Sequence, residues 1–138
     1  MSESVEISDT SPAPKPTAQP ALVMQIIVRR DLLDAEGWGV GPLMAQVAHA
    51  TSAVLHETRE RPETQAYLGN LKNMRKTANQ ASIERLASLL AACEPPVPHH
   101  LWVELPENIP TCLALAPNLR EPKIKKALDK AGCRLWRA

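Results

Sequence analysis

Phenylalanine is absent from this 138-residue chain, and its other aromatics are one tyrosine and three tryptophans. A core must therefore be built from Leu, Val, Ile, Ala and Met. Long apolar runs are also missing. Residues 21–28 form the longest, broken by Gln25, far short of the about 18 residues of a membrane-spanning helix. No basic-then-apolar stretch opens the chain, so no secretory signal is expected. Glu3, Glu6 and Asp9, with no early arginine, argue against a transit peptide. Cysteine is scarce: Cys93, Cys112 and Cys133 have no C-x-x-C spacing and read as reduced, mostly structural thiols. These exclusions leave a soluble cytosolic or nuclear protein as the expectation.

Several chemistries lack their signatures too. Gly37, Gly39 and Gly41 alternate, but no G-x-G-x-x-G or G-K-[ST] follows, so a nucleotide-binding loop is unsupported. No G-x-S-x-G occurs, which leaves a serine nucleophile unsupported. His99-His100 matches no zinc spacing, and neighbours in a strand point to opposite faces, so no metal is expected. Neither sign of charge dominates: 16 basic against 15 acidic residues leave a net charge of +1.

Proline, by contrast, is abundant, with 13 residues. Four of them lie in residues 1–20, among serines and threonines and few large apolar residues. Such a segment cannot offset its own ordering entropy and reads as a disordered tail. Three acids and Lys15 give that tail a net charge of −2, which leaves residues 21–138, the expected folded domain, at +3. Basic residues gather twice, in residues 59–76 and 119–138. They read either as solvated helix faces or as a footprint for a phosphate backbone.

The order of elements is readable from periodicity. Residues 22–29 are a Val/Ile-rich apolar run interrupted only by Gln25, as in a central buried strand. Residues 31–40 read as a loop. Gly41-Pro42 opens a helix with Leu43, Val47, Ala50 and Val54 on its apolar stripe. Pro62 starts a second helix. Residues 74–78 are a weak strand expected at a sheet edge. Ser82 caps a third helix with Ile83, Leu86, Leu89 and Leu90 in a stripe. Residues 101–104 and 111–116 read as a hairpin joined by a six-residue turn, 105–110. Pro122 starts a last helix, stopped at Gly132. Strands separated by helices, plus a late hairpin, imply a mixed sheet with helices on its faces.

Two groups of residues carry possible chemistry. On the first helix Gln46, His49, Ala53 and His56 form a second stripe, near a helix N-terminus that favours an anionic group. His49 by itself reads as a buried histidine satisfied by one hydrogen bond. Glu104 ends one hairpin strand and Thr111 begins the next. A carboxylate there can orient or deprotonate a water, and a threonine hydroxyl can hydrogen-bond a charged intermediate. The alternative is a hairpin whose polar groups serve its own backbone.

Three segments resemble a known family: Trp38-x-x-Gly41-x-x-x-Ala45-Gln46-x-x-His49-Ala50, then Met74-Arg75-Lys76, then Leu101-Trp102-x-Glu104-x-Pro106-Glu107-Asn108-Ile109-x-Thr111-Cys112. They are similar to the type 2 peptidyl-tRNA hydrolases, and most of all to the branch of peptidyl-tRNA hydrolase domain-containing proteins, over about residues 22–137. The resemblance implies an α/β, three-layer fold with a mixed four-stranded sheet. It also implies hydrolysis of the ester between a peptide and the 3′ end of tRNA, in the cytoplasm, with no cofactor and with dimers common. Glu104, Thr111 and Asn108 fall to the catalytic role, with Glu104 where the family has aspartate. Gln46 and His49 fall to substrate binding, with Lys72, Arg75 and Lys76 as the nearby charges. The hydrolytic members carry a lysine four residues before the helix glutamine; here that position is Pro42. The alternative function is a tRNA- or protein-binding member that has lost hydrolysis.

Overall fold

The computed structural model describes residues 21–137. The expected disordered tail, residues 1–20, lies outside the described residues. Along the chain come β1 (Met24–Val28), α1 (Asp31–Asp34), α2 (Val40–Glu57), α3 (Pro62–Leu68) and a short 3-10 turn (Leu71–Asn73). There follow β2 (Lys76–Gln80), α4 (Ile83–Ala91), β3 (His99–Glu104), β4 (Ile109–Leu115), α5 (Pro122–Lys130) and β5 (Arg134–Leu135). One mixed sheet joins the strands in the order β3-β4-β1-β2-β5. β1 and β2 run parallel, and the other pairings are antiparallel.

The apolar run of β1 is central, as its composition predicts. All five of its residues are buried. Alternation divides the core between the sheet's two faces. Met24, Ile26 and Val28 pack with Cys112, Ala114 and the α2 residues Leu43, Ala50 and Val54. Ile27, Leu113 and Leu115 pack with Ile83, Leu86 and Leu90 of α4 and Ile124 and Ala127 of α5.

The sheet has five strands, not the four expected. The fifth is two residues long, too short for any hydrophobic period. It is made by tertiary bonds: Gly132, at φ +70°, turns the chain back after α5, and the Trp136 amide donates to the Ala78 carbonyl at 2.9 Å. β2 is consequently not an edge strand, and it lies at Lys76–Gln80 rather than at 74–78. Its sequence signal is weak because Lys76 and Ala78 are exposed although the strand is internal. The expected loop 31–40 contains α1, a single turn that buries Leu32. The hairpin turn is shorter than expected, since β4 begins at Ile109 and takes in Pro110, opposite Val103. Ser82 stands at the N-cap of α4 without a side-chain hydrogen bond to the helix.

Candidate active site

The hairpin register slips between Trp102 and Val103. Trp102 pairs with Cys112, Val103 with Pro110 and Glu104 with Ile109, which leaves Thr111 as the extra residue of a bulge. Unbroken alternation would turn Thr111 to the α4 side, with Leu113. The bulge instead aims its hydroxyl at α2, where Oγ1 donates to Gln46 Oε1 at 2.8 Å. Gln46 Nε2 in turn donates to Glu104 Oε2. The Leu105 amide donates to the other carboxylate oxygen, Oε1, at 3.2 Å. Bulges of this kind commonly re-aim a side chain beside a site.

The three residues lie at graded depth. Thr111 is 0% exposed and Gln46 3%, whereas Glu104 is half-buried. The buried amide is thus held from both ends, oxygen on threonine and nitrogen on carboxylate, and Glu104 alone of the three reaches solvent. Thr111 was expected to touch a substrate, but its hydroxyl is enclosed and spent on Gln46.

Beside this chain α2 and β3 face each other along their lengths. His49 stacks on Trp102 with ring centroids 4.6 Å apart and planes 21° from parallel. His100 leans on the same indole at 5.9 Å, and its Nδ1 is bonded to Glu57 Oε1. His49 is exposed rather than buried, which corrects the reading of that residue alone. Trp102 was legible in the strand pattern, because it stands two residues before Glu104 and so on the same face. Pro42 lies in the first turn of α2, one turn before Gln46, and is exposed. Asn108 sits in the exposed turn after Glu104 at φ 59°, a left-handed conformation that asparagine tolerates.

Lys72, Arg75 and Lys76 are not brought to this group. Glu104 and Thr111 lie beyond the Val28 end of β1, while Lys76 pairs with Met24 at its other end. Strand rise and strand spacing put Lys76 on the order of 20 Å or more from Glu104. Its ammonium instead donates to the Tyr67 hydroxyl at 3.2 Å. Burial lowers the Lys76 pKa and raises that of Tyr67. Among the described residues no group of three His, Cys, Asp or Glu is placed to hold a metal ion. Among them, too, no helix is long and apolar enough to cross a membrane.

The sequence matches the family described as "Peptidyl-tRNA hydrolase PTH2" over residues 22–130. The chain belongs to the PTH2 family. Its similarity to two mammalian proteins agrees. It is 42% identical over 105 residues to the mouse protein named "Putative peptidyl-tRNA hydrolase PTRHD1", covering 72% of this chain and 74% of that one. It is 42% identical over 108 residues to the human protein of the same name, covering 75% and 77%. The PTH2 match spans β1 through α5, so the Thr111–Gln46–Glu104 chain lies wholly within it. β5 falls outside it.

Proposed function

We propose that this PTH2 family member hydrolyses the ester that joins a peptide to the 3′ end of tRNA, in the cytoplasm and without a cofactor. The observation that carries this reading is a half-buried carboxylate held by a buried amide and a bulge-aimed threonine. Glu104 takes a proton from a water as that water attacks the ester carbonyl. The proton then passes to the departing ribose oxygen, leaving a free peptide carboxyl and a free tRNA 3′ end. Asn108, on the turn beside Glu104, polarises the carbonyl. Gln46 and Thr111 act as positioning residues that fix the carboxylate's direction, and His49 lines the approach.

The deciding experiment incubates the pure protein with peptidyl-tRNA and measures release of free tRNA. Glu104→Gln keeps the shape and removes the base, so the rate is expected to fall about 10²–10⁴-fold. Equal rates for both proteins would remove Glu104 from the reaction. Pro42 favours a second reading, a binding protein without turnover, because proline supplies neither charge nor an N–H where the hydrolytic members keep lysine. That reading expects tRNA binding with no release, and release restored in Pro42→Lys.

A further inference from the structure

On the α2 side of the sheet, α2 packs on β3, β4 and β1, and Lys76 and Ala78 of β2 are left exposed. Ile26 and Val28 face α2. Their neighbours in register, Ala78 and Gln80, share that face, as does Arg134 beside Gln80. Arg30, two residues past Val28, lays its guanidinium 4.5 Å from the centre of the Trp136 ring and points Nη1 at Gln80 Oε1, 3.4 Å away. The same nitrogen also donates to the Arg137 carbonyl. Arg30, Asp31, Gln80 and Arg134 line one open recess of about 210 Å³. Arg134 and Arg137 are exposed and form no ion pair among the described residues.

This group lies at the same end of the sheet as Glu104 and on the same face. Gln80 pairs with Val28, Val28 with Cys112 and Cys112 with Trp102, two residues before Glu104. Four strand spacings, about 19 Å, separate β5 from β3. That span accommodates several nucleotides of a single strand. Asp31 and Asp34 neutralise Arg29 and Arg30 at this end, so among the described residues the unpaired cations here are Arg134 and Arg137, on either side of Trp136. Cations for the phosphates and a π face for a base are what such a strand requires.

We propose that Arg30, Arg134, Trp136 and Arg137 form the landing surface for the single-stranded 3′ end of tRNA, which crosses the strand ends from β5 to Glu104. The proposal rests on the tRNA reading above but not on turnover. The strand enters over β5, its phosphates meet Arg134 and Arg137, and the terminal ribose ester arrives at Glu104. Arg30 is fixed in place by Asp34, Gln80 and Trp136. β5 therefore owes its place in the sheet to tertiary bonds and contributes the free charge.

The test measures binding of deacylated, fluorescently labelled tRNA across a salt series, with no reaction required. Arg134→Gln with Arg137→Gln is expected to weaken binding about tenfold or more at 0.1 M salt. It is also expected to flatten the log–log salt slope by about 1.5, the loss of two phosphate contacts. The pair Lys72→Gln with Arg75→Gln removes equal charge at the other end of the sheet and is expected to change affinity less than about twofold. Equal weakening by both pairs would mean that only net charge matters and would overturn the surface. An unchanged slope in the Arg134/Arg137 variant would overturn it as well. In either case the wild type still binds tRNA, and the substrate reading stands. Failure of the wild type to bind tRNA at low salt overturns both readings together.

Discussion

Replacing Thr111 by valine keeps its shape and deletes one hydroxyl. That hydroxyl is fully enclosed and donates to Gln46 Oε1 at 2.8 Å, an amide oxygen in a side chain only 3% exposed. Valine leaves a buried amide oxygen without its donor, which costs about 1–3 kcal/mol. An added methyl buried in place of a hydroxyl recovers part of it, so a net loss of about 1–2 kcal/mol is expected. The Gln46 amide, released at one end, no longer fixes the direction of its bond to Glu104. A misplacement of about 1 Å at the reacting group lowers the rate roughly a hundredfold. Urea unfolding reads the first effect. The kcat for peptidyl-tRNA release reads the second, with KM moving much less. Thr111→Ser keeps the donor and loses a methyl, so it should lose stability yet keep nearly normal kcat. Should the valine variant lose stability with kcat intact, Thr111 is structural only. Should it change neither, the hydrogen-bond chain does not exist in solution.

Three further outcomes follow from the packing. Leu113 is 0% exposed, between Ile27 on one side and Leu101 on the other, so Leu113→Ala should destabilise the fold by about 2–5 kcal/mol in chemical denaturation. Gly132 has φ +70° and open space where a Cβ would go, so Gly132→Ala should cost about 1 kcal/mol through backbone strain alone, read from the unfolding midpoint. Burial pushes the Cys112 thiol up to about 12 from an ordinary 9.0. A group whose folded pKa is raised stabilises below its unfolded pKa and loses that contribution as pH climbs toward the folded value. Stability should therefore decline from about pH 9 toward 12, and Cys112→Ala should flatten that decline in alkaline unfolding curves; an unchanged slope would exclude this thiol as its source.

Much of the fold was legible locally because its elements bury one face each. β1 announced itself as a Val/Ile-rich run interrupted only by Gln25, and α2, α4 and α5 by stripes of Leu, Ile, Val and Ala at helical spacing. Where burial is thin the pattern fails. β2 gives only a weak pattern because its α2 face is uncovered, and α1 gives none because one turn holds no period. At the candidate site, Gln46, His49 and Glu104 were found through their motifs. Which of them would be enclosed was not legible, and His49 and Thr111 proved to lie on opposite sides of that expectation.

What the sequence determined by itself was the order of elements, the aliphatic composition of both cores and the motifs that mark the family. These depend on residues a few positions apart, whose spacing the backbone geometry fixes. Only the tertiary structure decided three things. It placed Thr111 on the α2 side, because a bulge overrode the alternation of β4. It separated Lys72, Arg75 and Lys76 from Glu104, because parallel pairing puts the start of β2 beside the start of β1. It brought Arg30 to Trp136 across 106 positions, because β5 closes on β2. Each outcome depends on strand register, and register is chosen by the packing of segments far apart in the chain rather than by any local pattern.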